Sequence, residues 1–303
     1  MRIASSHLAT TIQGTLGEGN ARLSKLMTQI SSGQRITRPS DDPIASVRLR
    51  MIERDEVLLG QYRKNIGTLT TQLERNETHL KGMLDTVMSA HDLLVWALDG
   101  ANTTGDLNAM STTLRSLRDN LHAAANAMDS EGNYLFSGTL TSTAPIGYDP
   151  TQPAGARYSF DGNDKRQQVA VGNGVTQAGN VSVDSLAEVL NQIDAALAVL
   201  EDPAADANDP AMRAVLVAAE GAVTVGMDSL TARMSEMGGA RNTIALLDDT
   251  HAAMQIGNAA ALEQVAGLDV AEAYDRLTRH TVAIQATYQV YGRIMQLNPY
   301  DLL

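Results

Sequence analysis

Near the start of the chain, apolar residues fall at Ile12, Leu16, Leu23, Leu26 and Ile30, with Gly19 filling the one gap, so that steps of four and three alternate. This is the a/d rhythm of a helix seam that packs against another helix. Gly33 closes the helix as a left-handed C-terminal residue would. Pro39 holds the residue before it out of helical geometry, which predicts an extended segment from Arg35 to Arg38. The next helix starts at once. Asp42 suits its N-cap, Pro43 its first position, and Asp41 and Asp42 together complement the positive end of its dipole. Gly33, Arg38, Pro39, Ser40, Asp41, Asp42 and Pro43 thus form a corner, a stop signal and a start signal back to back, that sets the angle between two helices.

Beyond the corner the rhythm resumes at Ile52 and runs without a slip through Asp55, Leu59, Tyr62, Ile66, Leu69, Leu73, Asn76, Leu80, Met83, Val87, Ala90, Leu94 and Ala97. A helix from Pro43 to Leu98 would be about 80 Å long. A globular domain of this size is narrower than that, so the helix must run along a rod with other helices beside it. A shorter helix follows through Leu107, Met110, Leu114, Leu117, Leu121 and Ala124.

From Ser130 to Val183 the chain is rich in Gly, Thr, Pro and Asn, with strand-like runs YLFSGT, ARYSF and QQVAVGNGV, the last carrying a hairpin turn at GNGV, residues 172–175. Helical spacing returns from Leu186 to Leu200 and breaks at EDPAADANDP, residues 201–210. It then runs from Met212 to about Leu262, with Gly238 and Gly239 as the weakest point. A last seam passes through Val270, Tyr274, Leu277, Thr281, Ile284, Tyr288, Tyr291 and Met295. This order predicts a mainly α chain, a long antiparallel helical rod or coiled coil made by the N- and C-terminal thirds, with a small β-rich insertion at the tip. The expected domains are 1–42 with 268–303 as a terminal coiled-coil assembly domain, 43–129 with 184–267 as the helical rod, and 130–183 as the outer insertion.

Composition supports the rod. Only 4% of the 303 residues are aromatic, and there is no cysteine, which removes disulfides, thiol catalysis and thiolate metal sites from consideration. The formal net charge of -12 argues against sequence-independent nucleic-acid binding. Residues 1–54 hold eight Lys/Arg against four Asp/Glu, whereas residues 184–275 hold three against sixteen. The first residues lack the apolar stretch of a secretory signal, and no run reaches the roughly 20 apolar residues of a membrane span, so the expectation is a soluble chain without an ordinary export signal.

Candidate chemistry is sparse. The six histidines show no metal-ligand spacing, Asp41 and Asp42 are explained by capping, and GNGV lacks the Lys-Ser/Thr and the helix that a phosphate cradle needs. No catalytic, cofactor or metal site is expected. What the seams demand is cover. Leaving Ile12, Leu16, Leu23, Leu26 and Ile30 in water would forfeit roughly 8 to 15 kcal/mol of burial. The two chain ends are therefore expected either to be disordered in a free monomer or to bury their seams against each other and against neighbouring copies, through Ile12, Leu16, Leu23, Leu26, Ile30, Leu277, Ile284, Tyr288, Tyr291 and Met295. A soluble helical signalling rod is a remote alternative, and it would be expected to end in a symmetric hairpin instead of a β insertion.

GNARLSKLMTQISSGQRITRPSDDPIAS, residues 19–46, resembles the N-terminal segment of the flagellin superfamily, and LDVAEAYDRLTRHTVAIQATYQVYGRIMQL, residues 268–297, resembles its C-terminal segment. The initial MRI, Pro39 and ANAMDSEGNYLFSGTLTSTAP, residues 125–145, are similar to the hook–filament junction branch, filament flagellin being the alternative. Ile146 departs from the Phe usual in that branch. The resemblance implies a non-enzymatic structural protein of the bacterial flagellum, exported by the flagellar secretion apparatus without a cleaved signal peptide and extracellular at the junction. It implies a ring of copies with the terminal helices lining a channel, and as partners hook-associated protein 1, flagellin and an export chaperone, with no nucleic acid and no membrane.

Overall fold

The computed structural model describes residues 2–296, with the side chains at its two extremities left out. Six helices lie among the described residues: α1 (Arg2–Ser32), α2 (Pro43–Ala97), α3 (Thr104–Ala125), α4 (Ser185–Leu200), α5 (Pro210–Ala266) and α6 (Val270–Gln296). Four short strands between α3 and α4 form two antiparallel hairpins, β1 (Ile146–Tyr148) with β2 (Tyr158–Phe160), and β3 (Gln168–Gly172) with β4 (Val175–Ala178). The chain divides into two compact units, one of residues up to Leu59 with those from Ala252 onward, the other Gly60–His251, so the boundary falls inside α2 and α5.

In the second unit the 3,4 rhythm of α2 is the buried face without exception from Ile66 to Ala97; Leu80, Met83, Val87, Leu94 and Ala97 are fully covered. Each of the larger of these side chains contributes about 1.5–3 kcal/mol on burial. Asn76, the polar residue on the stripe, is covered too and donates its amide to the Gly179 carbonyl. α5 supplies the facing apolar residues Met212, Leu216, Ala219, Val223 and Leu230. Arg63 grips Asp248 with two nitrogens at 2.9 and 3.3 Å, Arg241 reaches Glu74 and Glu77, and His91 meets Glu220. Early residues of α2 thus pair with late residues of α5, and the two helices run antiparallel here.

α5 continues through Gly238 and Gly239 without a break, because packing on α2 outweighs the roughly 1 kcal/mol by which each glycine weakens a helix. By length and composition α5 is also apolar enough to cross a membrane, which corrects the expectation that no segment passes that test. Small residues raise its apolarity without an unbroken run of large ones; Met212, Leu216, Leu230 and Met237 lie in the core just described, while Val225, Leu246 and Ile256 are exposed.

α3 begins with a capping box in which the Thr103 hydroxyl and Asp106 carboxylate satisfy each other's backbone N–H groups. The insertion is held by side-chain clamps instead of a large sheet. Asn126 accepts from the Ile146 N–H and donates to its carbonyl, and Asn191 brackets Tyr158 in the same way. Ile146 itself is fully buried, so a residue smaller than Phe completes the packing at this entry point. Asp194, 1% exposed, accepts from Arg118 at 2.8 Å, from Arg157 and from the Gly155 N–H, tying the β1–β2 loop to α4 and α3. YLFSGT is not a strand. Phe136 instead plugs the core, with single bridges at Met128–Tyr134 and Ser137–Ser182. The second hairpin turns at Gly174, whose φ of 69° needs glycine, and lies beside Asn65 of α2 and His251 of α5, which bond the Ala170 and Val171 carbonyls.

Candidate functional site

The first unit contains both chain ends. α1 and α6 pack together antiparallel, since Gly19 of α1 meets Ile284 and, at the other end, the Leu268 N–H donates to the Gly33 carbonyl. A Cβ at Gly19 would sit 3.2 Å from Ile284 Cγ1, so the glycine in the α1 seam makes room for Ile284 of α6. Along α1 the seam faces its partner with unequal cover: Leu26 is 8% exposed, while Ile12, Leu16, Leu23 and Ile30 are half-buried. On α6, Leu277, Ile284 and Tyr291 are half-buried on one face, joined by the buried Ala273. Tyr288 stands 52% exposed, with Tyr274 and Val270 similarly open. Met295 lies outside the described side chains. The seam of α6 is therefore shifted by one position at alternate turns, because small Ala273 and Thr287 turn inward where the larger Tyr274 and Tyr288 do not.

The corner joins α1 to α2. Gly33 takes a φ of 69° as the left-handed residue past α1, and Asp42 caps α2 by accepting from the Ala45 N–H at 3.0 Å. Asp41 has a different part from the helix-dipole role expected of it. Its Oδ1 accepts from Lys25 Nζ on α1 at 2.7 Å, and its Oδ2 accepts from the N–H groups of Thr37 and Arg38 and from the Thr37 hydroxyl. The Lys25 ammonium, then the backbone donors, hold the Asp41 carboxyl down to about 2. Pro39 and Ser40 form the exposed turn of this loop, closed by Asp41 N–H to the Arg38 carbonyl, and Pro43 opens α2 as its first residue. Asp41 is the keystone of the corner, fastening loop to helix.

A second corner faces the first and was not among the expected residues. The Arg35 N–H donates to the Ala266 carbonyl, Arg35 Nη2 to Val265, and Gln34 bridges Gly267. Gly267 ends α5 where a Cβ would come 2.2 Å from the Glu263 carbonyl oxygen, and Asp269 caps α6 by accepting from the Glu272 N–H. The signal was present as Gly-Leu-Asp between two helical patterns, the same stop and start punctuation as Gly33 and Asp42. Between α1 and the first corner, Ser24, Lys25, Thr28, Thr37, Arg38, Ser40 and Asp41 line a polar cleft, whose carboxylate is engaged by Lys25, Thr37 and Arg38.

This arrangement of paired terminal helices braced by two opposed corners can be set beside known proteins. Residues 3–141 match the family described as the bacterial flagellin N-terminal helical region. Two proteins named flagellar hook-associated protein 3, from Escherichia coli and Salmonella typhimurium, are each 23% identical over 100% of this chain and 99% of their own length. A solved structure from Vibrio parahaemolyticus, assigned as a flagellar hook-associated protein, is 33% identical with a TM-score of 0.66, covering 74% of this chain and 98% of that one. The chain belongs to the flagellar hook-associated protein 3 family. Hook-associated protein 3 from Legionella pneumophila, at 11% identity, shares the fold with a TM-score of 0.61, over 71% of this chain and 98% of its own. As a member of this hook-associated family the chain is a flagellin-like structural component of the bacterial flagellum.

Proposed function

We propose that the chain joins the hook to the filament as a ring of copies, resting on hook-associated protein 1 and receiving flagellin, with an export chaperone covering the C-terminal seam beforehand. Residues 1–42 and 268–303 would serve as the assembly domain. The observation that carries this reading is the apolar surface that α1 leaves uncovered on α6. Leu277, Ile284 and Tyr291 share the face that packs against α1, and Val270, Tyr274 and Tyr288 continue the arc into solvent. A stripe about 100° wide suits one partner helix, yet α1 leaves Val270, Tyr274 and Tyr288 more than half exposed, which gives a further helix from another copy apolar surface to cover.

Charge supports the same division of labour. The unit Gly60–His251 contains 12 Lys/Arg and 24 Asp/Glu, whereas the unit of the chain ends contains 11 of each. All of the net charge of -12 therefore sits away from the ends, and the ends can meet one another without net repulsion.

Removal of the gene is expected to leave intact hooks while flagellin is shed into the medium, seen by electron microscopy and by blotting the supernatant. Returning a Tyr274→Ser/Tyr288→Ser chain should restore secretion of this protein but not filaments. Normal filaments on that strain would overturn the reading, and capped hooks with no flagellin anywhere would point to filament flagellin instead.

A further inference from the structure

The turn GNGV, residues 172–175, contains the single Asn-Gly pair of the chain, Asn173–Gly174, which forms the connection between Gly172 of β3 and Val175 of β4. Both residues are exposed. Among the described residues neither the Asn173 side-chain amide nor the Gly174 N–H has a hydrogen-bond partner, and open space surrounds the position where a Gly174 Cβ would stand. An amide carbon thus lies one residue before an unhindered and uncommitted backbone nitrogen.

The other described asparagines are protected in one of two ways. Those inside helices, such as Asn65, Asn76 and Asn191, precede an N–H committed to the helix ladder. In the loops, Asn102, Asn126, Asn133 and Asn208 precede N–H groups that donate to Asp106, Ala124, Thr141 and Asp206. The side-chain amides of Asn163 and Asn180 are themselves held, by Thr139 and by the Lys165 carbonyl. Asn173 has neither protection.

We infer that Asn173–Gly174 is a self-modification site, where conversion to isoaspartate releases β4 from its hairpin. The Gly174 nitrogen bonds to Asn173 Cγ and closes a cyclic imide, while the side-chain nitrogen leaves Cγ as ammonia, carrying the Gly174 proton. Water then opens the ring. Opening at Cγ gives aspartate; opening at the Asn173 backbone carbonyl leaves Gly174 attached through Cγ, an isoaspartate with one more carbon in the main chain. No atom is oxidised or reduced, and water is the co-reactant. The connection is short because Gly174 adopts a φ of 69°, and a lengthened main chain no longer holds Gly172 opposite Val175. The two strands are secured unequally. β3 gives its Ala170 and Val171 carbonyls to Asn65 and His251, each at 2.8 Å, whereas β4 is exposed at Val175 and Thr176 and receives no side-chain bond to its backbone among the described residues. Loss of the turn therefore frees β4 and leaves β3 in place. The site is intrinsic to one chain and stands independently of what the copies assemble with.

The test is to keep the full-length protein folded in warm, mildly alkaline buffer for several days and to locate the acid formed at each asparagine by peptide fragmentation in a mass spectrometer. Acid at position 173 should accumulate several-fold faster than at any other asparagine, mostly as isoaspartate, read by methyl transfer from a protein isoaspartyl methyltransferase. Asn173→Gln, whose longer side chain closes the ring far more slowly, should remove that signal. Amide exchange in residues 175–178 should be faster in the aged protein and unchanged in 168–171. It should stay unchanged throughout in Asn173→Asp, which adds the charge without the extra carbon. A synthetic peptide of residues 168–178 gives the reference rate. If the peptide converts and the folded chain does not, the turn protects Asn173 and the inference falls, as it does if another asparagine converts first. Isoaspartate at 173 with unaltered exchange in 175–178 would overturn the release of β4.

Discussion

At the scale of single residues, the corner between α1 and α2 depends on one ionised carboxylate. Asp41 sits near 2, below the ordinary value of 3.8, because Lys25 and three further donors favour its charged form. A carboxyl lowered on folding stabilises the native state fully above its unfolded value, and the contribution fades as pH falls through the folded one. Wild-type thermal stability should therefore drop between about pH 4 and pH 2, and Asp41→Asn, which lacks the titrating group, should show a smaller drop across that window. Melts followed by circular dichroism over that range check it, and parallel curves would show that Asp41 contributes nothing there. Glycines give a second contrast. Gly267→Ala meets the Glu263 carbonyl oxygen at 2.2 Å and should cost about 1–3 kcal/mol. Gly238→Ala, in mid-helix with open space around it, should stabilise by about 1 kcal/mol. Urea denaturation of the two variants should move the midpoint in opposite directions.

Among the elements, seams that look alike in sequence have different fates. The stripe of α2 from Ile66 to Ala97 is covered at every position, so Leu80→Ala should cost about 2–5 kcal/mol. Tyr288→Ser removes a side chain that is half in water and should change monomer stability by less than about 0.5 kcal/mol while weakening association. Chemical denaturation in dilute solution, set beside sedimentation at high concentration, separates the two effects; a large loss of monomer stability in Tyr288→Ser would show that the tyrosine belongs to the intrachain core. The α2 stripe was legible because 3,4 spacing over many turns can fit only one helix face. The α6 stripe was half legible: Leu277, Ile284 and Tyr291 are positioned as the spacing implies, but a choice between Ala273 and Tyr274, or Thr287 and Tyr288, depends on how closely α1 approaches at Gly19, which no local pattern encodes. The caps at Asp42 and the left-handed Gly33 were readable from residue type alone. The bond from Lys25 to Asp41 and the strapping of Gly33–Arg35 to Ala266–Leu268 were not, since they join positions that only the fold brings together. YLFSGT misled because β-branched and aromatic content signals burial as much as strand, and here Phe136 is a core plug.

For the whole molecule, burial is divided as unevenly as charge. The largest fully buried side chains among the described residues, such as Phe136, Leu80, Met83, Leu114 and Leu190, all belong to the unit Gly60–His251. In the unit of the chain ends the best-covered apolar residues are Ala273, Ile36, Leu26 and Ala266, at 3 to 8% exposure, and none is large and fully enclosed. Local opening free energy rises with buried apolar contact. Backbone amides in residues 10–59 and 252–293 should therefore exchange faster than those of 60–251 in dilute monomer. Raising the concentration should then slow exchange most in the first set, because Val270, Tyr274 and Tyr288 there have surface that a neighbouring copy would cover. Mass spectrometry of peptides at two protein concentrations resolves this. Uniform protection along the chain in dilute solution would mean that the ends are already stable by themselves, and would remove the energetic reason for a neighbouring copy to complete them.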